Sequence, residues 1–165
     1  MTDKKIIIAS VLITALILGG GVFFLSKSET SANIATSQNA EASVDQKNFD
    51  WGQINMKAGN VSKTFTIKNS GTEILKLYKI RTSCHCTKAR VKIGSTTSPF
   101  FGMNTVSSWT GEIPPGQEAE LEVIFDPAYH GPQGVGPINR LVSIETNDKS
   151  NSRIEFSLTG TVFKQ

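Results

Sequence analysis

Two cysteines in one five-residue stretch, Ser83-Cys84-His85-Cys86-Thr87, are the residues of this chain whose type and spacing point most directly to chemistry. Two soft sulfurs one residue apart have three fates: a disulfide, a chelate on a thiophilic metal, or quiet packing as small apolar side chains. In a strand, residues two apart project from one face with their Cβ atoms farther apart than the ~3.5–4.5 Å that a disulfide spans. A bridge between Cys84 and Cys86 therefore requires a turn. If made, it would be strained and readily reduced, the property of a labile or catalytic bridge rather than a structural one. From Ile74 to Gly111 there is no Asp or Glu, while Lys76, Lys79, Arg81, Lys88, Arg90 and Lys92 flank the pair. Positive charge favours thiolate where it points at the sulfur; otherwise these side chains are the solvated face of two strands.

A metal usually needs more than two ligands. The additions this chain offers are Met103, in Phe100-Phe101-Gly102-Met103-Asn104, and His130, in Tyr129-His130-Gly131. Thiolate, thioether and imidazole together favour copper(I) over zinc. A structural zinc site would show four Cys or His ligands in paired spacings, which are absent here. Methionine is also a routine gap-filler, so packing is the competing role for Met103. His130 stands in a loop of Gly and Pro running from Pro127 to Pro137, where a lone imidazole has no evident packing duty. Other catalytic signatures are missing: there is no Gly-rich phosphate loop before a helix, no Gly-x-Ser-x-Gly and no His-Glu-x-x-His. Nucleic acid is not an expected partner, because Glu112, Glu118, Glu120, Glu122 and Asp126 oppose the basic segment and leave no basic footprint.

The elements that must position these residues begin with the compartment. Residues 6–25 are uncharged and rich in Ile, Leu, Val, Ala and Phe, a stretch long enough as a helix to cross a hydrocarbon core of about 30 Å. Lys4 and Lys5 precede it, so the positive-inside bias keeps residues 1–5 cytoplasmic and exports the remainder. The expectation is a single-pass signal-anchor helix in the cell membrane, with the C-terminal part in the periplasm or outside the cell. A cleaved signal peptide is the rival, but Thr30-Ser31-Ala32 makes a poor cleavage site. Residues 26–46 are Ser, Thr, Asn, Ala and Gln with scattered charge, too little apolar surface to offset ordering entropy, and read as a flexible linker.

Residues 47–165 form one domain of ordinary size, and its hydrophobic period is two. Phe65 and Ile67 alternate with Thr64, Thr66 and Lys68; Asn69-Ser70-Gly71 supplies a turn, and the apolar run from Ile74 to Ile80 follows, as in a hairpin. Ala119, Leu121, Val123 and Phe125 make an inward face against Glu118, Glu120 and Glu122, between the turns Pro114-Pro115-Gly116 and Asp126-Pro127. Arg140 to Thr146 and Ile154 to Val162 continue the pattern, with Gly160 placed to bend or bulge the last strand. Together with Asn48 to Ile54 and Thr87 to Ile93, the count is about seven strands. The fold expected is all-β, an immunoglobulin-like β-sandwich lacking the inter-sheet disulfide.

Five segments then occur in a recognisable order: Phe49-Asp50-Trp51-Gly52-Gln53-Ile54, Phe65-Thr66-Ile67-Lys68-Asn69-Ser70-Gly71, Ser83-Cys84-His85-Cys86-Thr87, Pro115-Gly116 and Thr146-Asn147-Asp148. In these the chain resembles the bacterial domain of unknown function 1573 (DUF1573) over residues 48–163, with His85 where the family often has Gly. That resemblance implies an exported, often anchored domain, similar to the immunoglobulin-like domains of major sperm protein and cilia-associated proteins, and implies no established activity. The function expected is a membrane-anchored module for interaction with an envelope or cell-surface protein, or for envelope structure. The alternative is a copper(I)-binding or thiol-redox protein using Cys84 and Cys86.

Overall fold

The computed structural model describes residues 34–164 together with Ile8, Ile13 and Thr14. The chain divides into two units, Met1–Asn33 and Ile34–Gln165. In the first, Ile8, Ile13 and Thr14 are helical, and both isoleucines are 60% exposed. Most of the expected membrane span over residues 6–25, and the expected linker over 26–33, lie outside the described residues. Among the described residues no helix is long and apolar enough to cross a membrane.

The second unit contains ten described strands: β1 (Ala42–Ser43), β2 (Asn48–Asn55), β3 (Val61–Asn69), β4 (Leu75–Thr82), β5 (Thr87–Ile93), β6 (Thr96–Thr97), β7 (Thr110–Ile113), β8 (Glu118–Phe125), β9 (Gly136–Thr146) and β10 (Arg153–Phe163). They form two five-stranded sheets, in the orders β1-β3-β8-β5-β6 and β2-β10-β9-β4-β7. The cores of these sheets, β3-β8-β5 and β10-β9-β4, follow the order of the B-E-D and G-F-C strands of an immunoglobulin sandwich. The alternation read from sequence sets the faces. In β8, Ala119, Leu121, Val123 and Phe125 are buried, whereas Glu118 and Glu120 are exposed. Phe65 and Phe156, one from each sheet, pack with their rings tilted by 43° and centroids 4.8 Å apart in the main core. The pairing of β10 with β2 slips between Thr159 and Thr161, but the extra residue is on β2 and β10 stays in register with β9, so the bulge expected in the last strand lies on its neighbour, opposite Gly160. A Cβ there would approach the Ile54 side chain to 2.8 Å.

Two expectations are corrected. The hairpin expected between residues 64–68 and 74–80 does not form, because β3 pairs with β1 and β8, while β4 pairs with β7 and β9 in the other sheet. Both strands present one strongly apolar face, and the sandwich buries those faces against each other rather than leaving both on one sheet. The turn at Asn69-Ser70-Gly71 is thus a crossing between layers. The linker expected through residue 46 also fails over its last part. Ala40 is 2% exposed in the main core, and Ala42–Ser43 pairs with Lys68–Asn69. Composition missed this because the segment is held by backbone and polar contacts: Ser37 bridges Asp148, and the Ala42 amide donates to the Asp148 carboxylate at 2.9 Å.

Candidate functional site

Between β4 and β5 the chain reverses through residues 83–86, which places Cys84-His85-Cys86 in a turn rather than a strand. The Thr87 amide donates to the Cys84 carbonyl at 3.1 Å, and the Thr82 hydroxyl lies 3.0 Å from the carbonyls of both Cys84 and Thr87. Ser83 ties the turn to β9: its amide donates to the Leu141 carbonyl, and its hydroxyl accepts from the Leu141 amide, each at 2.9 Å. The requirement for a turn is met, and Cys84 and Cys86 are joined as a disulfide with their Cα atoms 5.3 Å apart, inside the usual range.

The two sulfurs have different surroundings. Cys86 is 3% exposed and belongs to a second, smaller hydrophobic cluster with Ile54, Met56, Phe125, Ile138 and Val162. Cys84 is half-buried and packs at the margin of that cluster. His130, exposed at the N-cap of the short 3-10 turn Gly131–Gly134, brings Nε2 to 3.4 Å from Cys84 Sγ. From the other side the Arg140 Nε donates to Cys86 Sγ at 3.1 Å, while the guanidinium lies over the Phe125 ring at 5.4 Å. Burial pulls the Arg140 pKa below its ordinary value, yet a guanidinium stays charged in a protein.

Of the expected site residues, the fold brings Cys84, Cys86 and His130 together: their ligand atoms lie within 4.8 Å of one another. Met103 is placed on a neighbouring loop, 41% exposed, lining one hollow with His85, Thr87 and Phe100 and another with Ser83 and Leu141. His85, between the cysteines, is exposed, with Nε2 3.5 Å from Asn104 Nδ2. The lysines and arginines that flank the pair in sequence mostly serve the sheet surfaces. Lys76 pairs with Glu112, Lys79 with Glu145, Arg90 with Glu122 and Lys92 with Glu120. The cation that reaches a sulfur is Arg140, 54 residues beyond Cys86, which no local pattern could have marked. In its oxidised form the pair can undergo thiol exchange; reduced, two sulfurs and an imidazole are donors that suit copper(I).

A second cluster of family-like motifs lies at the far end of β4 and is built differently. Asn69, fully buried, donates from Nδ2 to the carbonyls of Glu73 and Ile113 and accepts from the Gly71 amide. Asn147 accepts from the Lys76 amide and donates to the Ile74 carbonyl. The Asp148 carboxylate accepts from the amides of Ala42, Ser150 and Asn151 and from the Asn151 side chain. Gly71 sits so close to residues 39–41 that a Cβ there would meet the Asn39 carbonyl oxygen at 2.2 Å.

Fold and site thus define an immunoglobulin-type β-sandwich with a disulfide-bonded Cys-x-Cys turn at one end. Residues 42–97 match the model of the family described as protein of unknown function (DUF1573), which bears out the resemblance over the first three of the five segments, while Pro115-Gly116 and Thr146-Asn147-Asp148 lie beyond the match. That match runs from β1 to β6 and includes both cysteines but neither His130 nor Arg140. A search of the curated proteins found no match. Among solved structures, a protein of unknown function from Porphyromonas gingivalis W83 is similar at 19% identity and a TM-score of 0.58, over 78% of this chain and 50% of that one. The chain therefore spans about half the length of that protein. A family 123 glycoside hydrolase from Clostridium perfringens is similar at 9% identity and a TM-score of 0.50, over 77% of this chain and 27% of that one. PapD-like domain 7 of human CEP192 aligns at 14% identity and a TM-score of 0.49, over 84% of this chain and 96% of that one. At such identities the likeness is one of fold.

Proposed function

We propose that this protein is a membrane-anchored, extracytoplasmic immunoglobulin-like module that engages an envelope or cell-surface protein through the end of the sandwich that carries the cysteine turn. The observation behind this reading is the set of exposed apolar side chains flanking that turn. Phe100 and Met103, 44% and 41% exposed, line a hollow with His85; Tyr129, 53% exposed, packs edge-on against His130, which touches Cys84. Amphipathic and aromatic side chains gathered around a recess are the composition of a protein-contact surface. Anchoring is supported by the uncharged stretch over residues 6–25 behind Lys4 and Lys5. Photo-crosslinking amino acids placed at Phe100, Met103 and Tyr129 in cells should give one discrete adduct, and the same group at Glu120 on the sheet face should give none. Equal labelling from Glu120, or no adduct from the loop end, would refute the docking face. Protease added to spheroplasts should digest the domain; protection there would refute the exported topology.

The disulfide beside His130 favours a second reading, a thiol-redox or copper(I)-handling protein using Cys84 and Cys86. Its test is the thiol state and metal content of the full chain recovered from its membrane without reductant. Copper(I) is then titrated anaerobically into the reduced form and into variants at His130 and Met103. Saturation at one equivalent, weakened by loss of His130, supports metal handling, and weakening by loss of Met103 adds the thioether to the ligands; a pair that is neither oxidised nor metal-loaded excludes both branches.

A further inference from the structure

We propose that the Cys84–Cys86 disulfide exchanges with an extracytoplasmic dithiol with a fixed polarity: Cys84 receives the incoming thiolate, and Cys86 departs as a thiolate held by Arg140. The proposal rests on the thiol-redox branch of the second reading and assigns each sulfur its part. Exchange requires in-line attack on one sulfur while the other leaves, so access and leaving-group stabilisation decide which sulfur does which. Access favours Cys84, which is half-buried at the edge of the small cluster, whereas Cys86 is 3% exposed beneath it. Stabilisation favours departure of Cys86, because the Arg140 Nε points its N–H at that sulfur from 3.1 Å. A guanidinium beside a departing sulfur stabilises the charge that develops there.

Arg140 has little else to do. Among the described residues no carboxylate pairs with it; its remaining hydrogen bond goes to the Asn139 carbonyl, and its plane rests over Phe125. A half-buried cation without a counter-ion costs desolvation, and a nearby sulfur that acquires negative charge on reduction offsets that cost only in the reduced state. Arg140 thereby biases the pair towards reduction.

The step balances as follows. A thiolate of the partner dithiol bonds to Cys84 Sγ, the Cys84–Cys86 bond breaks, and its electron pair stays on Cys86. The partner's second thiolate then bonds to the partner sulfur attached to Cys84, and Cys84 leaves as a thiolate. The partner loses two electrons and two protons and becomes a disulfide; this chain gains both electrons and, with water carrying the protons, becomes the dithiol.

The test uses the full-length protein in detergent, with dithiothreitol as the dithiol and glutathione disulfide as the probe of single sulfurs. In the Cys86→Ser variant the remaining Cys84 should form its glutathione adduct at least roughly tenfold faster than Cys86 does in the Cys84→Ser variant. Arg140→Gln should slow reduction of the wild-type disulfide by dithiothreitol about tenfold and shift its equilibrium with glutathione towards the oxidised form, with Arg140→Lys in between. A purely structural role predicts the opposite sign, since loosening the turn would expose the disulfide and speed its reduction. Faster or unchanged reduction in Arg140→Gln overturns the proposal, as does equal or faster reaction of Cys86. If Arg140→Gln fails to fold, the single-cysteine comparison and Arg140→Lys decide the matter. Should the pair refuse exchange yet bind copper(I) when reduced, this proposal fails while the metal branch of the second reading stands.

Discussion

Both ends of β4 carry sequence signatures, yet the two ends use them in opposite ways. At the Leu75 end, the polar side chains of Asn69, Asn147 and Asp148 are consumed by backbone groups that cross between segments far apart in the chain. At the Thr82 end the polar groups face sulfur: His130 approaches Cys84, Arg140 approaches Cys86, and exposed aromatic and thioether side chains surround them. A saturated network has no valence left for a ligand, and its role is to fix one arrangement of the chain. A half-buried cation and a disulfide at the surface leave capacity unused. The Leu75 end therefore serves folding, and the Thr82 end is where chemistry or recognition has room to act.

That contrast first needs a measure of the core they share. Val123→Asp should abolish folding of the sandwich, since it places an unpaired charge at a fully buried position of β8, at a cost of about 4 kcal/mol or more. Its neighbour Glu122 is on the outer face and pairs with Arg90. Glu122→Ala should cost no more than about 1 kcal/mol. Urea unfolding followed by circular dichroism separates the two, and equal effects would mean that the register of β8 is wrong.

Next come the ends themselves. Asn69→Ala removes three hydrogen bonds and leaves the buried Ile113 carbonyl and the part-buried Glu73 carbonyl without that donor, so a loss of about 2–4 kcal/mol is expected. The rate of disulfide reduction by dithiothreitol should be unchanged in this variant. A stability loss below about 1 kcal/mol, or an altered rate of reduction, would break the division of labour between the two ends.

Asp148 gives that division a pH dependence. Burial works to raise its pKa, but the hydrogen bonds from the amides of Ala42, Ser150 and Asn151 and from the Asn151 side chain outweigh it, and the carboxyl sits below its ordinary value. A group whose pKa is depressed on folding contributes stability that is fully present above its unfolded value, near 4, and is lost as pH falls through its folded value. Wild type should therefore lose stability on the acid side more steeply than Asp148→Asn, with the two converging at the lowest pH. Parallel acid limbs in chemical unfolding would show that Asp148 is not the linked group.

How much of this was legible in the sequence follows the same line between ends. Period-two alternation marked β8 and β5 closely, because burial on one face only leaves a strong imprint on residue type. The pairing of strands left no such imprint: β3 and β4 are adjacent in sequence and similar in pattern, and only tertiary packing sends them to different sheets. Residues 34–46 looked like a linker because their order comes from backbone bonds, polar contacts and the few apolar side chains of Ala40, Ala42 and Val44. Gly71 was the available clue, since a glycine leaves room for a neighbour to approach closely, but does not say which one. At the sulfur end, the cysteines and His130 announced themselves by residue type. Arg140 did not, because an arginine on a strand looks like any solvated cation.

A small expected effect is the most decisive for the sulfur end. A disulfide that closes a loop of three residues constrains the unfolded chain little, roughly 1–2 kcal/mol in the chain-entropy view, against about 4 kcal/mol or more for bridges that span a domain. Cys86 does lie in an apolar cluster, but a serine there finds the Arg140 Nε within reach of the position Sγ occupies. Cys84→Ser/Cys86→Ser should therefore lower the melting temperature by only a few degrees, while abolishing reaction with thiol reagents and binding of copper(I). Calorimetry alongside thiol labelling of the folded wild type, its disulfide reduced beforehand, checks both halves. A drop much larger than Asn69→Ala produces, together with wild-type sulfurs that react only after unfolding, would make the sulfur end another structural lock and erase the difference between the two ends of β4.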